Sequence, residues 1–143
     1  MLLRKKEEIE NWLNQYNIED YTLIEDKNYG YIINVNGHVN LINKKLKSID
    51  VKFNEVNGNF YCSLNELKSL EGCPEIINNN FYCSYNYLII EELKYLPKEV
   101  KNNIINIKNN FELNDLQYIE NFEELKNKIS ALLEKNNLSK IIK

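Results

Sequence analysis

Residues 58–77, GNFYCSLNELKSLEGCPEII, are followed by residues 79–100, NNFYCSYNYLIIEELKYLPKEV, and the second stretch repeats the first. Superposition places Phe60 over Phe81, Cys62 over Cys83, Asn65 over Asn86 and Leu67 over Leu88, each pair 21 residues apart. A fixed period of this size marks a solenoid, because each unit is too small to bury its own apolar face and must stack on the next. The period reaches back to Val39, Leu41, Lys44 and Leu46, a degenerate copy with Lys in place of Asn. Going forward, IIEELKYLPKEV is two residues longer than its counterpart and NIINIKNNF (103–111) matches weakly, so the last register stays open between Ile104 and Ile105.

Alternate residues of a short strand point to opposite sides. Phe60, Cys62, Asn65, Leu67 and Leu70 are therefore expected inside the winding, with the Asn amide bonding backbone groups where the chain leaves the strand. Val56, Ile77 and Val100 precede their strands by four residues and should line the opposite wall of the same core.

The shared pattern, apolar-x-apolar-x-x-Asn-x-Leu-x-x-Leu, resembles the leucine-rich-repeat family in its short form of about 20–22 residues per turn. The resemblance covers roughly residues 37–113, and Leu96-Pro97 resembles the Leu-Pro step of bacterial members. It implies an α/β fold: a short leucine-rich-repeat solenoid with a parallel sheet and about four repeats. FYCS-x-N-x-L followed by SLEGCP is also similar to small repeat proteins encoded by bacteriophages and mobile elements of AT-rich bacteria. Some of these inhibit host defence systems, anti-CRISPR proteins among them, so the resemblance implies a host protein such as a CRISPR effector as partner.

A solenoid exposes its core at both ends unless something covers it. Residues 1–36 are expected to form an N-terminal cap, in which Ile9, Trp12, Leu13 and Tyr16 make one stripe of a helix over about 4–16. YTLIED and YIINVNGHV then alternate around Asn28-Tyr29-Gly30 as a hairpin leading into the repeats. Residues 114–143 are expected to form the C-terminal cap, with Phe122, Leu125, Ile129, Leu132 and Leu133 on one face of a helix over about 122–136. Asn121 is its N-cap, Glu124 stands three residues on, and the last residues, SKIIK, are expected to fray. The 143 residues thus read as one domain.

The formal charge is −3 with acids and bases interspersed, which disfavours a broad nucleic-acid or anionic-membrane footprint. The N-terminal stretch lacks the apolar run of a secretory signal, and no stretch approaches the ~20 apolar residues of a membrane span. A soluble, cytoplasmic protein is expected. Three cysteines at spacings of eleven and ten fit neither a disulfide framework nor zinc knuckles. Cys62 and Cys83 read as reduced core thiols on neighbouring strands, about 4.8 Å apart, while the burial of Cys73 is open. His38, the single histidine, has no acid at a telling spacing and reads as a surface residue. No nucleophile–base pair, glycine-rich phosphate loop or metal set stands out, so no enzyme activity, cofactor or metal is expected.

What remains is the outward side of the sheet. With Phe60 and Cys62 inward, Asn59, Tyr61 and Ser63 face out, and Asn80, Tyr82 and Ser84 repeat that set one rung away. The first rung adds His38, Asn40 and Ile42; the last adds Asn103, Ile105 and Ile107. Tyr with Asn and Ser combines rigid contact area with adaptable hydrogen bonding, as binding surfaces do. The expected function is therefore macromolecule binding through the concave sheet, with Asn40, Ile42, Asn59, Tyr61, Ser63, Asn80, Tyr82, Ser84 and Ile105 as the site. Equally open is a structural role in which Tyr61 and Tyr82 protect the sheet by cross-strand stacking. Single-stranded nucleic acid, through tyrosine stacking, and self-association through a solenoid end are the alternative uses.

Overall fold

An inward phenylalanine every 21 residues requires neighbouring strands in register. The computed structural model of the chain has them so, with Phe60 beside Phe81 and Tyr61 beside Tyr82 in parallel strands. It describes residues 1–142, with side chains as far as Lys135. The fraying expected of residues 139–143 falls outside the described side chains and, for Lys143, outside the described residues.

Helix α1 (Lys6–Gln15) leads into a hairpin of β1 (Tyr21–Asp26) and β2 (Gly30–Val35). Each later turn lays one strand in each of two walls. Sheet A runs β1-β2-β4-β6-β8, with β4 at Phe53–Val56, β6 at Ile76–Ile77 and β8 at Glu99–Val100. Sheet B runs β3-β5-β7-β9, at Val39–Asn40, Phe60–Tyr61, Phe81–Tyr82 and Ile105–Asn106. From β2 onward the pairings between these strands are parallel, and the whole is an α/β solenoid of about four turns. The second sheet exists because only a short corner, such as Asn57-Gly58-Asn59, separates the walls. The residues expected on the opposite wall, Val56, Ile77 and Val100, therefore stack in register as well. The hairpin does more than cap, since β2 is itself the sheet A strand of the first turn.

The register of the last turn is now fixed. Phe81 pairs with Ile105, a step of 24 residues, and Ile105 and Ile107 are fully buried. The core they join contains an aromatic spine: Trp12 to Phe53 at 6.3 Å, Phe53 to Phe60 at 5.3 Å and Phe60 to Phe81 at 5.9 Å, all edge-on. Edge-on packing sets the positive rim of one ring against the negative face of the next.

Where the chain turns out of sheet B, a column of buried asparagines replaces water as hydrogen-bond partner. Asn65 Oδ1 accepts from the Lys44 and Leu46 amides of the preceding turn, and its Nδ2 donates to the Leu41, Cys62 and Ser63 carbonyls. Asn86 accepts from the Leu67 amide and donates to the Cys62, Cys83 and Ser84 carbonyls. Asn110 extends the column, accepting from the Leu88 amide and donating to Cys83 and Ile107.

Both ends are closed by amphipathic helices. Ile9, Trp12 and Leu13 of α1 are buried, and Asn17, in the left-handed region at φ 57°, ends it with an Ile18 N–H to Leu13 carbonyl bond. At the other end, Asn121 Oδ1 caps α2 (Phe122–Ile142) by accepting from the Glu124 amide at 2.9 Å. Phe122, Leu125 and Ile129 are buried; Leu133 is half-buried and Leu132 exposed, so the expected stripe opens to solvent along its length. Just before α2, Ile104 and Asn121 form an antiparallel bridge, with the Ile105 amide donating to Glu120 and the Phe122 amide to Asn103. This covers an edge of sheet B that would otherwise offer unpaired backbone groups. Among the described residues, no helix is long and apolar enough to cross a membrane.

Candidate binding face

The outer side of sheet B carries three columns. The first is His38, Asn59, Asn80 and Ile104; the second Asn40, Tyr61, Tyr82 and Asn106; the third Ile42, Ser63, Ser84 and Lys108. In the first, the Asn59 amide donates to His38 Nδ1 at 2.8 Å and the Asn80 amide to Asn59 Oδ1 at 2.8 Å. Each asparagine also donates its side-chain Nδ2 to the phenol two residues on, Asn59 to Tyr61 at 2.8 Å and Asn80 to Tyr82 at 3.1 Å. The two rings lie flat on each other, 5.1 Å between centroids and 10° between planes, with His38 6.2 Å from Tyr61. Ser63 Oγ accepts from the Ser84 amide, and the two serine hydroxyls lie 3.1 Å apart.

The structure thus brings together Asn59, Tyr61, Asn80, Tyr82 and Ser84 as half-buried members of one surface, with Asn40 and His38 exposed at its first rung and Ile42 half-buried there. Asn40 Oδ1 accepts from the Ile42 amide. Ser63 belongs to the same column but is only 8 % exposed. Ile105 does not belong to the face: it points into the core, as does Ile107, because the step of 24 residues puts Ile104 and Asn106 outward instead. Asn103 sits at the corner, half-buried, its Oδ1 accepting from the Glu123 amide.

One feature of this side was not foreseen. Directly after the third column the chain bends through the left-handed region at Asn43, Leu64, Tyr85 and Asn109, with φ of 54°, 59°, 55° and 63°. The conformation costs a non-glycine residue on the order of 1–2 kcal/mol, least for asparagine. Yet the two middle positions hold Leu64 and Tyr85, 48 % and 54 % exposed, and two residues after Tyr85 and Asn109 stand Tyr87 at 55 % and Phe111 at 74 %. The sequence signal was there in FYCS-[Leu/Tyr]-Asn: strict alternation would turn position 64 inward, but Asn65 takes the inward place.

The thiols are unsuited to chemistry. Cys62, Cys73 and Cys83 are all buried and unpaired as disulfides, which answers the open question of Cys73. Burial pushes the Cys62 and Cys73 thiols well above their ordinary range, so the reactive thiolate is suppressed. Among the described residues no group of three His, Cys, Asp or Glu side chains is arranged to hold a metal ion.

The charged site of most consequence lies on the other wall. Lys52, 8 % exposed, bonds the Cys73 carbonyl at 2.6 Å and pairs with Glu75 at 2.9 Å, with Lys98 3.7 Å from the second Glu75 oxygen. Burial raises the Glu75 pKa, but the hydrogen bond and charge of Lys52, helped by Lys98, outweigh it and hold the carboxyl below its usual range.

Comparisons with protein-family models, with curated proteins and with solved structures find no match.

Proposed function

We propose that this chain is a non-enzymatic binding module that meets a macromolecular partner on the outer face of sheet B. The observation that carries the reading is the pinned tyrosine pair: two phenols held by Asn59 and Asn80 and stacked at 5.1 Å present a rigid aromatic surface within a polar frame. Contact area whose rotamers are already set loses little entropy on binding. The repeat pattern supports placing the module among short leucine-rich-repeat proteins of phage or mobile-element origin. On that footing the partner is a cytoplasmic host protein, and inhibition of a defence protein such as a CRISPR effector is the specific role proposed.

The test is affinity capture from lysate of the native host, comparing the intact chain with Tyr61→Ala plus Tyr82→Ala, after circular dichroism has shown both to be folded. A partner retained by the intact chain and lost by the variant supports the reading. Equal retention by both removes the tyrosine pair from the site, and retention of nucleic acid in a salt-sensitive manner replaces the partner class.

A further inference from the structure

We propose that the ridge of Leu64, Tyr85 and Tyr87 receives a protein segment in which acidic residues stand next to an apolar anchor, with Lys47 and Lys68 binding the acids. The proposal rests on the reading of the chain as a binding module and names the chemistry of its partner.

The first support is the left-handed column. Its outer members, Asn43 and Asn109, carry the residue type this backbone tolerates, whereas Leu64 and Tyr85 do not. Neither side chain is needed by the core, since about half of each is exposed. A bulky apolar residue that is unfavourable for the backbone and unburied by the fold is explained by contact with something else. The rungs are adjacent, the Leu64 amide donating to the Ser84 carbonyl and the Tyr85 amide to the Lys108 carbonyl, which sets Leu64 and Tyr85 on neighbouring rungs of one strip.

The second support is charge. Lys47, Glu66, Lys68 and Tyr87 line a depression of about 380 Å³ beside the strip. Lys44 and Lys45 are also exposed on the same turn as Lys47, and none of the four lysines is in an ion pair among the described residues. Four lysines against Glu66 make this end of the strip basic, and a partner carboxylate between Lys47 and Lys68 would lie against the Tyr87 ring. Towards Phe111 the sign changes, with Glu112 and Asp115 exposed. A nucleic-acid strand needs a basic track along its whole path; a strip that is basic at one end and apolar to acidic at the other fits a polypeptide.

The experiment selects phage-displayed random 12-residue peptides on the full chain and measures one enriched synthetic peptide by fluorescence anisotropy. Enriched peptides should carry Asp or Glu beside Leu, Phe or Trp. Leu64→Asn plus Tyr85→Asn should weaken that peptide at least tenfold while raising the melting temperature by roughly 2–6 °C, because the backbone strain is relieved as contact is lost. Lys47→Glu plus Lys68→Glu should also weaken it at least tenfold with the fold intact. Peptides without acidic bias, unchanged affinity in either variant, or a U12 oligonucleotide binding more tightly than the peptide each overturn the proposal. Loss of the host partner on Tyr61→Ala plus Tyr82→Ala but not on Leu64→Asn plus Tyr85→Asn would leave the binding-module reading standing and remove the ridge alone. A host partner captured equally by all of these variants removes both the tyrosine pair and the ridge from the site.

Discussion

Replacing the asparagines of the buried column by alanine, one at a time, should cost unequal amounts, and the middle member should be the cheapest. Deleting the Asn86 side chain removes four hydrogen bonds. Three of its four partners keep another: Cys62 O retains Asn65, Cys83 O retains Asn110, and Ser84 O retains the Leu64 amide. Only the Leu67 amide is orphaned. Deleting Asn65 strands the Leu46 amide and the Leu41 carbonyl, both on fully or nearly fully buried residues, together with the more accessible Lys44 amide. Deleting Asn110 strands the Leu88 amide and the Ile107 carbonyl. At about 1–3 kcal/mol for each buried group left without a partner, Asn86→Ala should cost about 2 kcal/mol and Asn65→Ala or Asn110→Ala about 4 kcal/mol. Urea unfolding followed by circular dichroism measures all three from the shift in midpoint. An Asn86→Ala loss equal to or larger than that of Asn65→Ala would refute the accounting, because it would mean that shared carbonyls do not substitute for one another.

Acid should weaken the fold through Glu75. Its folded pKa is held below the ordinary value, so the pair with Lys52 stabilises fully above the unfolded carboxyl range, about pH 4–5, and that contribution is lost as pH falls through the lower folded value. Glu75→Gln should cost about 1 kcal/mol at pH 7, the pair with Lys52 being screened by water at a carboxylate about one-third exposed; urea titrations at pH 7 and pH 3 should show the gap to the unaltered chain narrowing. Gly72 sits at φ 95°, and an added Cβ would lie 2.6 Å from the carbonyl oxygens of Ile49 and Val51. Gly72→Ala should lower stability by about 2–5 kcal/mol, and a melting temperature within two or three degrees of the unaltered chain would show that this corner can yield.

The winding was legible because two turns keep the same residue types at the same spacing: Phe60 and Phe81, Cys62 and Cys83, Asn65 and Asn86. The last turn was not, because IINI offers two inward phases of equal apolarity and the tie is broken by Asn110, whose role shows only once its bonds to Cys83 and Leu88 are seen. That ambiguity put Ile105 on the wrong side. Strands of two residues carry too little alternation to reveal a second sheet, although the residues of that wall, Val56, Ile77 and Val100, were correctly turned inward. The caps were readable from the spacing of Trp12 and Phe122 with their apolar neighbours. The ridge was not, since Leu64 and Tyr85 occupy a backbone conformation that residue preferences assign to glycine or asparagine, and preference is the only guide before coordinates.

The corner asparagines also bear on how such a chain lengthens. Asn57 Nδ2 donates to Asn36 and Asn78 Nδ2 in turn to Asn57, while on the other side of the corner the backbone amide of Asn59 donates to the His38 side chain and that of Asn80 to the Asn59 side chain. Contacts between the middle turns thus run between equivalent positions, so a tandem duplication of residues 58–78 would meet on both sides the partners its template already has. The helices and the hairpin sit outside this unit and need not change. Growth by one gene-internal copy would add a third tyrosine to the stack and one more rung to the face, making the reach of the surface a variable separable from the closure of its ends.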